Sequence, residues 1–334
     1  MRGLNDLFTN YSTTDFAGIL WYGTQTGGPH GYRRYLWYAG DGAPVAYFDG
    51  GSRVLGGYSS GSLYNLYYPR VNQSLAVSSP LIMDFYYYLE TPLKGSVFGT
   101  IRVDETMAAG SKEVHLVVVE DNAGGSPTQR NLARSFYDGF EDFLLTDVGE
   151  EAEVIRNFTN LSSWGSDLEY IVFVQNMGTK EVLQAIQATS SSVPAIEVGV
   201  EAINSPAGDQ PAGSYPANVT IANDGAWDQV DIPVTCHIYH DTTRIVRTLA
   251  EVPDGAGFQI PAEQSLGISQ KDETIVYAVS TWVDINAQEQ TTFDFSPDWN
   301  VSTAGEYRII VFTGLPGDYS SENNEAISVV QIGP

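Results

Sequence analysis

A mainly β chain is predicted, with an N-terminal α/β unit followed by two β-sandwich domains. Three observations predict it. Bursts rich in Val, Ile, Thr, Phe and Tyr recur at the length of short strands, and Gly 33 and Tyr 20 in 334 residues supply turn and half-buried positions. Only the first 78 residues mix helical spacing with such bursts, so an α/β order there gives way to strands alone. At 43% hydrophobic and 12% aromatic, the chain has ample material for several cores.

The elements follow in order. Leu4 to Tyr11 places Leu4, Leu7 and Phe8 at helical spacing, and Phe16 to Tyr22 reads as a buried strand. A polar loop containing His30 precedes a helix over Tyr32 to Tyr38, which Ala39-Gly40-Asp41-Gly42 ends. Pro44 then leads the apolar run Val45-Ala46-Tyr47-Phe48 into Asp49-Gly50-Gly51. Pro44 donates no ladder hydrogen bond and fixes its own φ, so it suits the entry to a strand, and Asp-Gly supplies a turn. A second short run over Ser52 to Gly57 completes a hairpin, and Ser60 to Tyr68 has helical spacing that Pro69 should end or kink.

From Ser79 the expected strands are Leu81 to Leu89, Val97 to Asp104, Val114 to Glu120, Ala133 to Tyr137, Phe143 to Leu145, Glu153 to Phe158 and Glu169 to Gln175. Thr179 to Ala188 is a closing helical turn or strand, and Thr189 to Pro194 has linker composition. A further set begins at Ile196 to Val200 and continues through Asn218 to Ala222, Asp231 to Tyr239, Thr274 to Val283, Thr291 to Phe295, Glu306 to Thr313 and Ala326 to Ile332. The expected domains are therefore 1–78, 79–190 and 195–334.

Lys+Arg 16 against Asp+Glu 41 gives a formal charge of -25, which repels phosphate backbones and anionic membranes. Nucleic acid is excluded as a partner on this ground. No apolar run approaches the ~20 residues that span a bilayer, and Met1-Arg2-Gly3-Leu4-Asn5-Asp6 lacks the apolar core of a signal peptide. Cys236 is the one cysteine, so an intrachain disulfide or CxxC pair cannot form; its alternating flanks make it a small buried hydrophobe. Sequons at Asn10, Asn72, Asn157, Asn160, Asn218 and Asn300 permit glycosylation and no more.

Ala43 to Gly50, Tyr64 to Tyr68, Val117-Val118-Val119-Glu120-Asp121, and Val172 to Asn176 with Lys180 to Ala185 together resemble a family of Bacteroidetes outer-membrane and secreted proteins. That family joins a thioredoxin-like domain to a β-sandwich, and the resemblance covers about residues 1 to 190. It implies a cis Ala43–Pro44 bond, since the matching proline in thioredoxin-like folds is usually cis beside a CxxC pair. The CxxC is absent here, so the expectation is a truncated or degenerate thioredoxin-like unit. Asn218 to Gly225, Ala304 to Ile309, Gly317-Asp318 and Glu322 to Glu325 resemble cell-adhesion-related immunoglobulin-like modules, which usually act as spacers or binding platforms.

Four constellations invite chemistry. Gly57-Tyr58-Ser59-Ser60-Gly61 matches the GxSxG elbow, but Ser60 and Ser62 also suit a helix cap, and the cap is the simpler reading. His237 and His240, three apart on a strand, face opposite sides and so do not converge on a metal. Asp318, Glu322, Asn323 and Asn324, with Glu325 beside them, are oxygen-rich enough for calcium, although Asx-turns account for them without an ion; Asp294, Asp298 and Asn300 form a similar group. The runs Trp21-Tyr22, Tyr67-Tyr68 and Tyr86-Tyr87-Tyr88 must point both inward and outward, offering aromatic surface to domain packing, a protein partner or glycans.

The reading that unites these features is a non-catalytic extracellular or cell-envelope protein for adhesion, scaffolding or assembly, self-associating through an exposed sheet edge. The alternatives are a fragment of a secreted thiol-disulfide oxidoreductase-like protein without its CxxC, and a calcium- or glycan-binding surface module.

Overall fold

The computed structural model describes residues 2–21, 33–34, 36–38, 44–57, 60–123, 130–247 and 267–334. The protein is mainly β and divides into two compact units, Met1–Ser192 and Val193–Pro334. Among the described residues no helix is long and apolar enough to cross a membrane.

The first unit opens with α1 (Arg2–Asn10), the hairpin β1 (Val45–Phe48) and β2 (Ser52–Leu55), and α2 (Tyr64–Leu75). Leu7 of α1 packs on Leu63, Tyr67 and Val71, forming a small core beside the hairpin. The N-cap of α2 is Leu63 and not Ser60 or Ser62 as expected; Ser62, one residue earlier, accepts from the Tyr64 N–H at 3.0 Å through its Oγ and donates to Asp6 Oδ2. Of the two alternatives expected at Pro69, ending the helix does not occur: α2 runs on through it to Leu75. Proline forfeits its bond to the carbonyl four residues back and crowds that carbonyl, and the buried face of Tyr67 and Val71 holds the turns on either side against this cost.

The β1–β2 hairpin forms as predicted, with Val45 paired to Leu55 and Phe48 to Ser52. Asp49 and Gly50 take positive φ of 44° and 72°, the backbone an Asp-Gly turn provides. Among the described residues the sheet holding β1 has these two strands. Its turn is tied to the sandwich by Val182 N–H donating to Asp49 O at 2.9 Å.

Eight strands follow: β3 (Leu81–Thr91), β4 (Lys94–Val103), β5 (Lys112–Glu120), β6 (Leu132–Asp142), β7 (Glu151–Thr159), β8 (Leu168–Asn176), β9 (Val182–Gln187) and β10 (Thr189–Ser190). They make two sheets, β10-β3-β4-β7 and β6-β5-β8-β9, around a core that includes Phe85, Ile101, Leu116, Tyr170 and Val172. Phe143 to Leu145 is not a strand, although Phe143 is buried in that core. Thr189 and Ser190, read as linker, instead pair in parallel with Tyr86 and Tyr87.

The second sheet is buried on both faces. Its outer face, with Val117, Val119, Phe136, Ile171 and Phe173, lies under Ala17, Ile19 and Trp21. This is why β5 and β8 read as unbroken apolar runs rather than as alternating ones. The segment Phe16 to Tyr22, expected as a strand, meets the sheet by one parallel bridge between Leu20 and Leu132, with Tyr22 outside the described residues. Its alternate side chains cover the sheet instead of extending it.

The second unit contains β11 (Val198–Ser205), β12 (Gly208–Gln210), β13 (Gly213–Asn223), β14 (Gln229–Arg247), β15 (Gly267–Ile285), β16 (Glu289–Val301), β17 (Gly305–Thr313) and β18 (Glu325–Ile332). Sheets β11-β13-β16 and β12-β18-β17-β14-β15 enclose a single core of inward residues such as Val219, Ile221, Val234, Ile309 and Trp299. All seven strands expected here are present, several extended at their ends, and β12 is added.

Candidate interaction surface

Strand alternation assigns the even residues of β14 inward: Ile232, Val234, Cys236 and Ile238 are buried. The odd residues therefore face outward, and the register shows what stands beside them. Ala278, His237, Ile310 and Ile327 form one row across β15, β14, β17 and β18. Ile275, Tyr239, Arg308 and Val329 form the next, and Ser280, Thr235, Phe312 and Glu325 the row on the other side. Trp282, opposite Pro233, borders this lattice at one end. Ile275, Ile327 and Val329 are 51%, 55% and 53% exposed, and Trp282 is 66% exposed.

The aromatic groups on this face are ordered by each other. The His237 ring meets Phe312 edge-on at 5.4 Å between centroids. Arg308 lays its guanidinium over Tyr239 at 5.2 Å and reaches Glu273 Oε2 at 2.5 Å, strapping three strands together. At the other end of the lattice the backbone of Asp241 pairs between Glu273 and Glu306, and Gln331 stands beside Glu306. An apolar centre with polar borders can bury surface against a partner.

The sequence-derived candidates fall elsewhere. Asp318 Oδ1 accepts from Val198 N–H at 3.1 Å, and the Asn323 amide donates to Glu197 Oε1 at 2.7 Å, tying the β17–β18 loop to the start of β11. Glu197 is buried and also accepts from Ser320 N–H at 3.1 Å. Burial raises the Asp318 carboxyl above its ordinary pKa; burial, then the Asp318 charge among the neighbouring groups, raises that of Glu197. Asp318 Oδ2 and Asn323 Oδ1 are buried and receive no hydrogen bond of good geometry, with Asn324 near Asp318. Glu322 is exposed, and the Asn324 Oδ1 accepts from the Thr313 hydroxyl at 3.3 Å. In the second acidic group, Asn218 donates to Asp294 at 2.6 Å, and Asn300 to the Asp298 carbonyl at 3.2 Å. Among the described residues no group of three or more His, Cys, Asp or Glu side chains is placed to hold a metal.

His237 and His240 do face opposite ways, for His240 stacks on the buried Tyr307 at 4.4 Å and 12°. Cys236 is fully buried, and burial pushes its thiol up to about 12. Tyr87 points inward onto Tyr170, while Tyr86 points outward and donates to Asp84 at 2.9 Å. Pro44 stands before β1 with its carbonyl accepting from Gly56 N–H; the Ala43–Pro44 bond, His30, and Tyr58 and Ser59 of the GxSxG match lie outside the described residues.

Sequence reasoning missed a buried cation. Arg34 is 5% exposed, with its guanidinium 4.5 Å from the Phe136 ring and 4.6 Å from Trp37, and it donates to Gln175 Oε1 at 2.8 Å. His115 is fully buried against Phe136 and Phe173, and burial followed by the Arg34 charge lowers its pKa to about 3. This cluster fastens Arg34 to the doubly covered sheet and is structural.

No family model matches the chain, and no curated protein matches it. Two solved structures from Porphyromonas gingivalis are similar at low identity. A domain of the outer membrane lipoprotein Omp28 is 15% identical, covering 35% of this chain and 93% of that one, with a TM-score of 0.26. HBP35 is 10% identical, covering 92% of this chain and 83% of that one, with a TM-score of 0.38.

Proposed function

We propose that this chain is a non-catalytic structural protein of the extracellular or cell-envelope compartment. In this reading it joins a unit of thioredoxin-like ancestry, a β-sandwich and an immunoglobulin-like sandwich, and acts in assembly or adhesion through its sheet faces on protein partners. The observation that carries the reading is the outward face of β14, β15, β17 and β18, where Ile275, Trp282, Ile327 and Val329 stand exposed in adjoining rows. Soluble domains rarely leave contiguous apolar patches of more than a few hundred Å² without a use. The test is the location of a tagged full-length chain in its native host, by fractionation and protease shaving of intact cells. Recovery from the envelope or the medium supports the reading, and recovery with cytosolic proteins overturns it.

A second reading, calcium binding at the β17–β18 loop, is favoured by the two buried oxygens of Asp318 and Asn323 that receive no good hydrogen bond beside Glu197. Calorimetric titration of the full chain with calcium decides it. Binding heat and a higher melting temperature, both lost in Asp318→Asn, support it; no heat and no thermal shift end it.

A further inference from the structure

We propose that the first unit carries a separate binding site: a polar recess at one end of its sandwich that takes a neutral pyranose, the terminal sugar of a glycan. The site goes beyond the sheet-face reading above and does not depend on where the protein resides.

The recess has a volume of about 380 Å³, within the roughly 300–1,000 Å³ of small-molecule sites. It is built by Glu120 at the end of β5 with Asp121 after it, by Arg134 of β6, and by residues 163–167 of the β7–β8 connection. That connection is held at three points. Trp164 N–H donates to Leu161 O at 3.0 Å, Gly165 N–H to Glu120 Oε1 at 3.1 Å, and Asp121 N–H to Asp167 O at 2.9 Å. A Cβ on Gly165 would stand 2.7 Å from Glu120 Oε1 and push that carboxylate aside. A wall fastened in this way is preformed, so little ordering is left to oppose binding.

Charge narrows the ligand. Glu120, with its side chain 5% exposed, is neutralised by Arg134, whose Nε donates to Oε2. Asp121 is neutralised by Arg130, whose Nε lies 3.2 Å from both carboxylate oxygens. Among the described residues, no cation stands beside Asp167, and no acceptor meets the two terminal amino groups of Arg134. An anion would meet Asp167 in a chain already at -25, and a cation would meet Arg134. An apolar ligand would take water from the polar lining and return no hydrogen bonds. A sugar ring meets none of these objections: adjacent hydroxyls can donate to Asp167 and accept from Arg134, since a hydroxyl does both. Half-buried Trp164, packed against the sandwich core, is the large apolar group of the lining and suits the C–H face of the same ring.

Affinity electrophoresis of the full chain through native gels containing mannan, galactan or dextran tests this. The wild type should be retarded in at least one gel, and the free hexose of that polymer should restore its mobility. Asp167→Ala and Arg134→Gln should each weaken retardation roughly tenfold, the loss of one charge-assisted hydrogen bond. Asp167 is exposed, so Asp167→Ala should keep the wild-type melting temperature and report on binding even where Arg134→Gln is destabilised by its stranded Glu120. Unaltered migration in all three gels overturns the proposal. So does retardation that Asp167→Ala leaves unchanged, which would place the sugar elsewhere on the chain.

Discussion

Gly50 lies so close to Lys180 that a Cβ added to it would stand 1.7 Å from the Lys180 carbonyl oxygen. The turn that ends β1 thus meets the β8–β9 connection with backbone alone. Gly51, its neighbour, has nothing within 4 Å of the same position.

Gly50→Ala is therefore expected to cost about 2 kcal/mol or more, combining a positive φ with a backbone clash, while Gly51→Ala stays within about 0.5 kcal/mol. Urea unfolding of the two variants checks this. Equal effects would mean that the turn does not dock on the sandwich.

His115 makes the first unit sensitive to acid. Its folded pKa is lowered to about 3, against about 6.5 in the unfolded chain, and the charged groups facing it are Arg34 and the Glu113 carboxylate at 4.0 Å. As pH falls below about 6.5 the unfolded chain takes up a proton that the folded one refuses, so stability is lost on the acid side, by roughly 1 kcal/mol at pH 5.5. His115→Phe should flatten that slope between pH 7.5 and 5. An identical slope in both proteins would show that His115 is not the group responsible.

The Asp318 and Glu197 carboxyls titrate with the opposite sign. Their folded pKa values are raised, so they favour folding in acid and lose that contribution as pH rises through them. Without calcium, Asp318→Asn should raise the melting temperature at pH 8 more than at pH 4. A fall at pH 8 would show that the negative charge itself holds the loop.

Cys236, with its thiol pushed up to about 12, should resist a thiol-modifying disulfide reagent in the native chain and react at once in guanidinium. Cys236→Ser should cost roughly 1 to 3 kcal/mol for its buried hydroxyl, and Cys236→Ala less. Rapid native labelling would mean that the second unit opens readily.

Much of the second unit was legible because its strands alternate cleanly: Val234, Cys236 and Ile238 announce one buried face. Asp49-Gly50 likewise announced its turn through a backbone requirement that is local. The outward lattice was not legible, since its rows join His237 to Ile310 and Ile327 across seventy and more residues. Period tells which side a residue faces, and register alone tells its neighbours. One signal was available: β17 and β18 carry apolar residues at both parities, as in Ile309-Ile310-Val311-Phe312, although one face lies open. The burial of Arg34 was not legible because nothing local foretells the aromatic rings of Phe136 and Phe173 that enclose it. That α2 continues past Pro69 was not legible because the packing that sustains it comes from α1, far away in sequence.

The sheet covered on both sides has a bearing on how this chain can be cut and inherited. Val117, Val119, Ile171 and Phe173 are sheltered by residues more than ninety positions earlier, so strands β3 to β10 expressed without residues 2–21 would present a bare, sticky wall. A gene fragment starting at the first sandwich strand would yield aggregate, whereas one spanning residues 1–192 would yield a soluble product. The N-terminal segment is the lid of the sandwich, and recombination that moved one without the other would be selected against.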